Sequence, residues 1–176
     1  MRNKTIFFFL TGLVLISMVV NSCKKESQLT SIQSLFTAGK WQLASIVITR
    51  FIGANQSPPV PSDTLNTTCD STQLFTFNTN NTCTYSNFAC MPQVVTGSWS
   101  LTADAHYLLC EIACKDTLAG GVTIGTVKPF IYSQIVNLGQ YSMILNTGDI
   151  ATYYTATTRR RIVTYGFVRQ KAPVGN

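Results

Sequence analysis

From Lys40 onward the chain is a succession of short segments in which apolar and polar residues alternate, each closed by a turn signal. The first is the clearest: after Gly39, Trp41, Leu43 and Val47 alternate with Lys40, Gln42 and Ala44 in a run to Arg50, the period-two pattern of a half-buried strand. Further segments follow at Leu74 to Phe77, Thr82 to Phe88, Val95 to Leu101, His106 to Cys114, Tyr141 to Thr147, Ile150 to Ala156 and Arg161 to Gln170, with a strand-rich stretch from Thr123 to Leu138. Gly148-Asp149 is the sharpest hairpin signal between them. Connections this short make neighbouring strands antiparallel, because parallel pairing needs long crossovers. Such a set avoids open edges best by closing on itself. The expectation is an all-β, eight- to nine-stranded antiparallel up-and-down barrel. A β-sandwich is the alternative. Leu29, Ile32, Leu35 and Phe36 recur at helical spacing and predict a short helix over residues 28–37. The connection from Phe51 to Thr68, with Pro58, Pro59 and Pro61, reads as irregular.

The chain begins with a different kind of segment. Arg2 and Lys4 precede the uncharged apolar run from Ile6 to Val20. Fifteen residues span about 22 Å as a helix, short of the roughly 30 Å bilayer core, so the run reads as an export signal. It ends in Val19-Val20-Asn21-Ser22-Cys23, which resembles a bacterial lipobox. That resemblance implies cleavage before Cys23 and lipidation of its thiol, and two or three acyl chains hold a protein on a membrane durably. The chain then divides into a lipoprotein signal peptide (1–22), a lipidated tether (23–28), the barrel domain (29–171) and a C-terminal tail (172–176). The implied location is the cell envelope of a Gram-negative bacterium, with the outer membrane as the expected membrane.

Composition narrows the function. Charged residues make up 11% of the chain and the net charge is +6, yet three of the positives are consecutive at Arg159, Arg160 and Arg161. There is no distributed basic face, and no nucleic-acid partner is expected. His106 is the only histidine, and it follows a turn at Ala103-Asp104. No Ser-His-Asp set can be assembled without it, so no catalytic residue, cofactor or metal site is expected and the protein reads as a non-enzyme. Cys110 and Cys114, if they share one strand, lie about 13 Å apart, too far for a common metal or a disulfide unless the chain bends at Ile112-Ala113.

Setting Cys23 aside leaves five cysteines, and export makes disulfides the default. The strands around Phe77 and Thr82 form a hairpin centred near Asn80, so partners across it have numbers summing to about 160. Cys69 and Cys90 fit this sum and are the predicted bridge. Cys83 instead faces Phe77. Cys83, Cys110 and Cys114 compete for at most one more bridge, and Cys90–Cys114 is the rival pairing.

Gly39-x-Trp41 near the start, Gly97-Ser98-Trp99 in the middle, Ile135-x-x-Leu138 before Met143-x-Leu145, and Tyr165-x-Phe167-x-Arg169 at the end occur in an order that resembles the lipocalin-like domains of Gram-negative lipoproteins. The resemblance covers about residues 29 to 171. It implies a long first loop folded across the barrel mouth and a barrel-closing pair in which Arg169 stacks over Trp41. Phe75, Phe77, Tyr85, Trp99, Tyr165 and Phe167 then either line an apolar ligand pocket or simply fill the barrel, since eight strands enclose space for side chains or one small ligand. The expected function is a membrane-anchored protein that binds a small apolar or amphipathic molecule in the cell envelope. The alternative is a filled structural module that binds a protein or glycan through its loops or Arg159 to Arg161.

Overall fold

The computed structural model describes residues 30–57, 64–65, 69–117, 124–150 and 153–170. The expected signal peptide, Cys23, the expected tether and the C-terminal tail (172–176) lie outside them. Residues 30–37 are helical. The strands that follow are β1 (Lys40–Ile52), β2 (Asn55–Gln56), β3 (Thr64–Leu65), β4 (Leu74–Phe77), β5 (Thr82–Ser86), β6 (Val94–Leu101), β7 (Tyr107–Cys110), β8 (Cys114–Thr117), β9 (Ile124–Val127), β10 (Ser133–Leu138), β11 (Ser142–Gly148) and β12 (Arg159–Arg169).

Eight of these close an antiparallel barrel in the order β1-β4-β5-β6-β7-β10-β11-β12, with β12 returning to β1. The seam is long, running from Trp41↔Arg169 to Ile52↔Arg159. On its other edge β1 is shared by three short partners in turn: β4 at Lys40 to Gln42, β3 at Ile46 and Val47, and β2 at Phe51 and Ile52. The connection after β1 is therefore not wholly irregular. Two pieces of it return to hydrogen-bond the edge that the short β4 leaves bare.

Four other segments differ from the sequence reading. In β1 the register slips between Leu43 and Ser45, and both Ala44 and Ser45 are exposed. One extra residue reverses the alternation. Ile46 and Ile48 turn inward and Val47, 40% exposed, does not. Gly166 faces the bulge, where a Cβ would strike the Ser45 hydroxyl.

The expected strand from His106 to Cys114 stops at Cys110. Residues 111–113 leave the ladder, and Cys114 opens β8 in a separate two-stranded sheet with β9. Gln93 holds β8 in place, its Oε1 accepting from the Lys115 N–H at 2.8 Å and its Nε2 donating to the Lys115 carbonyl at 2.8 Å. The stretch from Thr123 to Leu138 is accordingly two strands in two sheets, β9 and β10.

Finally, Gly148-Asp149 does not begin a hairpin into Ile150 to Ala156. β11 pairs directly with β12, ending at Gly148↔Ile162, and none of the described residues between Asp149 and Thr158 is a strand. Asp149 extends the pairing by one step: its N–H donates to the Arg161 carbonyl at 3.0 Å and its carboxylate accepts from the Arg161 N–H at 2.9 Å. The turn comes later, where Thr155 and Thr158 bond each other, and it docks through the Thr158 carbonyl on the Gly53 N–H at 2.9 Å.

Candidate functional site

The end of the barrel where β1 begins is closed. Phe36, from the helix, packs its fully buried ring against both Phe77 and Trp99, with ring centroids at 4.9 and 5.6 Å. Trp41 is fully buried, and its indole N–H donates to the Phe36 carbonyl at 2.9 Å. The Arg169 guanidinium lies 4.7 Å from the Trp41 ring centroid and donates to the Leu35 carbonyl at 2.8 Å. Two carbonyls at the end of the helix, those of Leu35 and Phe36, thus receive donors from Arg169 and from the buried indole.

The interior is occupied by rings. Phe75, Phe77, Tyr85, Trp99, Tyr165 and Phe167 all point inward and are at most 7% exposed. Phe130, from the connection between β9 and β10, enters among them and is fully buried. Its centroid lies 4.8 Å from Tyr165, 5.1 Å from Phe75 and 5.7 Å from Tyr85. No strand periodicity marks Phe130, so sequence alone gives no signal for this ring. The six aromatic candidates pack against one another, and Phe75, Tyr85, Tyr165 and Phe167 also pack against Phe130, which favours filling over lining. Burial pushes the Tyr165 phenol up to about 12 and raises Tyr85 well above its ordinary value. The Tyr85 hydroxyl meets the buried Gln73 amide oxygen at 3.4 Å.

Above the rings, Cys69 and Cys90 form a disulfide with Cα atoms 5.3 Å apart. Cys83 pairs with Phe77 across the β4–β5 ladder, whose partner numbers sum to 160. His106 is exposed at its turn, Nδ1 3.0 Å from an Asp104 carboxylate oxygen. Among the described residues no group of three or more His, Cys, Asp or Glu side chains is placed to hold a metal.

The opposite end of the β1–β12 seam carries a cleft of about 450 Å³. Its lining residues are Arg50, Phe51, Ile52 and Ser57 from one side and Asp149 with Arg159 to Arg161 from the other. Register brings the charges together, because Arg50 is the cross-strand partner of Arg161. The Asp149 carboxylate, which accepts from the Arg161 N–H, lines the same cleft. The alternation set by Ile46 and Ile48 and by Val163 and Tyr165 puts Arg50, Ile52, Arg159 and Arg161 on the inward parity of their strands, past the aromatic core. Arg160, on the other parity, is fixed between rings, 4.9 Å from Phe51 and 3.7 Å from Tyr154, with Nη2 donating to the Gly53 carbonyl at 3.0 Å. The triple arginine was visible in the sequence. Its convergence with Arg50 depends on register and was not.

No family model matches this chain, and no curated protein matches it. Among solved structures it is similar to a mutant of LTBP1 in complex with leukotriene C4, at 15% identity and a TM-score of 0.37, over 80% of this chain and 73% of that one. A likeness of that extent is too loose to carry a site or a ligand across.

Proposed function

We propose that the protein is a lipid-anchored, lipocalin-like barrel of the bacterial cell envelope that binds a small amphipathic molecule at its mouth, without catalysis. The barrel interior serves as the structural core. The cleft at the end of the seam takes the ligand, with its carboxylate or phosphate head between Arg159, Arg161 and Arg50 and its apolar part along Phe51 and Ile52. Guanidinium forks suit such oxyanions, and a cleft of this size matches the ~300–1,000 Å³ typical of small-molecule sites. The observation that carries the reading is the convergence of Arg50, Arg159 and Arg161 on one cleft that Phe51 and Ile52 also line.

Mass spectrometry of small molecules co-purifying with the delipidated chain identifies the ligand class. Anionic amphiphiles are expected with the wild type and lost from an Arg159→Ser/Arg161→Ser variant, with capture weakening as salt rises. Equal capture by that variant overturns the placement at the mouth.

A further inference from the structure

Cys83 and Cys110 sit on β5 and β7, with β6 between them, and both are fully buried. Their sulfur atoms are 3.1 Å apart. Strands separated by a third ordinarily stand roughly 9–10 Å apart, twice the inter-strand spacing, so this contact requires an explanation.

Two features of the chain supply it. The Cα partner of Cys83 on β6 is Gly97, which has no side chain to occupy the inner face. The Cys83 sulfur rests over that bare peptide, 3.6 Å from the Gly97 oxygen and 3.7 Å from the Ser98 oxygen. Beyond Cys110 the chain leaves the ladder and folds across the same place. The Glu111 N–H donates to the Ser98 carbonyl at 2.9 Å, and a Cβ on Gly97 would come within 2.8 Å of the Glu111 oxygen. Gly97 therefore lets both the Cys83 thiol and the backbone after Cys110 converge on one spot. Cys114 is buried too, but it starts β8 in the other sheet.

We infer that Cys83 and Cys110 form a second disulfide, laid across the inner face of β6 over Gly97, and that Cys114 is the thiol left over. The bond forms by exchange with a disulfide donor. The Cys83 thiolate attacks one donor sulfur, and the other donor sulfur leaves as a thiolate. The Cys110 thiolate then attacks Cys83 Sγ in the mixed disulfide and expels the first donor sulfur. The donor disulfide gains two electrons and the two protons given up by the cysteines, becoming two thiols. Exchange takes place while β5 to β7 are still open to solvent. Once the rings have packed, the bridge is shielded. In protein that stays reduced, the hydrogen bond between the two thiols lowers the pKa of Cys83 and raises that of Cys110.

The test is a disulfide map of the full chain, reduced and refolded in a buffer of oxidised and reduced glutathione, then alkylated in denaturant. No Lys or Arg lies between Arg50 and Lys115, so trypsin leaves all five cysteines on one peptide. Chymotrypsin separates Cys69, Cys83, Cys90 and Cys110, and cleavage after Glu111 parts Cys110 from Cys114. The expected map links Cys83 to Cys110, with Cys69–Cys90 bridged in the same sample and Cys114 alkylated. If Cys83 and Cys110 are alkylated while Cys69–Cys90 is bridged, or if Cys114 appears in a bridge with either, the inference is overturned. A Cys114→Ser chain tests the same link independently: the Cys83–Cys110 bridge must survive in it, and its loss there also overturns the inference.

Discussion

Arg169 covers the face of Trp41 at 4.7 Å while donating to the Leu35 carbonyl, so one side chain of the last strand holds both the first strand and the helix before it. The cation over the ring contributes about 0.5–2 kcal/mol and the charged hydrogen bond about 1.5–3 kcal/mol. Arg169→Met should cost about 2–4 kcal/mol in urea unfolding. Arg169→Lys should recover only part of this, because an ammonium lacks the planar fork that stacks and donates at once. A loss below about 0.5 kcal/mol in the Met variant would show that packing alone closes this end.

Phe130→Ala removes the ring at the centre of the upper core. A loss of about 3–5 kcal/mol is expected from the burial and the cavity left behind. The same variant should acquire a dry space that takes up an apolar probe such as benzene, and the wild type should not. Probe uptake by the wild type would mean that the interior is not filled.

The two buried phenols make stability fall at high pH. Tyr165 is pushed up to about 12 and Tyr85 is raised as well, both chiefly by burial. In the unfolded chain a tyrosine loses its proton near pH 10, while the folded protein holds it. Their contribution is therefore complete below about pH 10 and is lost as pH rises toward 12. Denaturant midpoints measured from pH 9 to 12 should decline across that window. Tyr165→Phe should flatten the decline, and an unchanged slope would show that another group sets it.

The proposed lipid anchor is tested separately. Cys23→Ser should abolish incorporation of a clickable fatty acid and release the chain from the membrane fraction. Equal labelling of the mutant would defeat the lipobox reading of residues 19–23.

Strands without irregularities were legible in the sequence. On β12, Val163, Tyr165 and Phe167 alternate without interruption and all face the core. The β4–β5 hairpin follows simple arithmetic about its turn. On β1 the same logic misassigned Val47, because the bulge depends on Ser45 meeting Gly166, far along the chain. β8 and β9 were obscured for a similar reason, since their position rests on Gln93 reaching Lys115. At the mouth, Arg159 to Arg161 read as a charged run, whereas Arg50 joined them only once register was known. Local alternation reports which side a residue faces. It says little about which distant residue it will meet.

The seam between the first and last strands also dictates when the protein can fold. The Arg169 hydrogen bond to Leu35 spans 134 residues, and the whole β1–β12 ladder joins the two ends of the domain. Contacts of such high contact order exact their loop-closure entropy before returning any stability, which slows folding. A ribosome delivering this chain from its N-terminus releases Trp41 first and its cationic lid last. Until then β1 has bare apolar residues and an unpaired edge, the condition in which strands recruit the wrong neighbour. Truncation before Arg159 should therefore give an aggregation-prone chain that a holdase chaperone captures, whereas the full chain needs such protection only while its last strand is still being delivered.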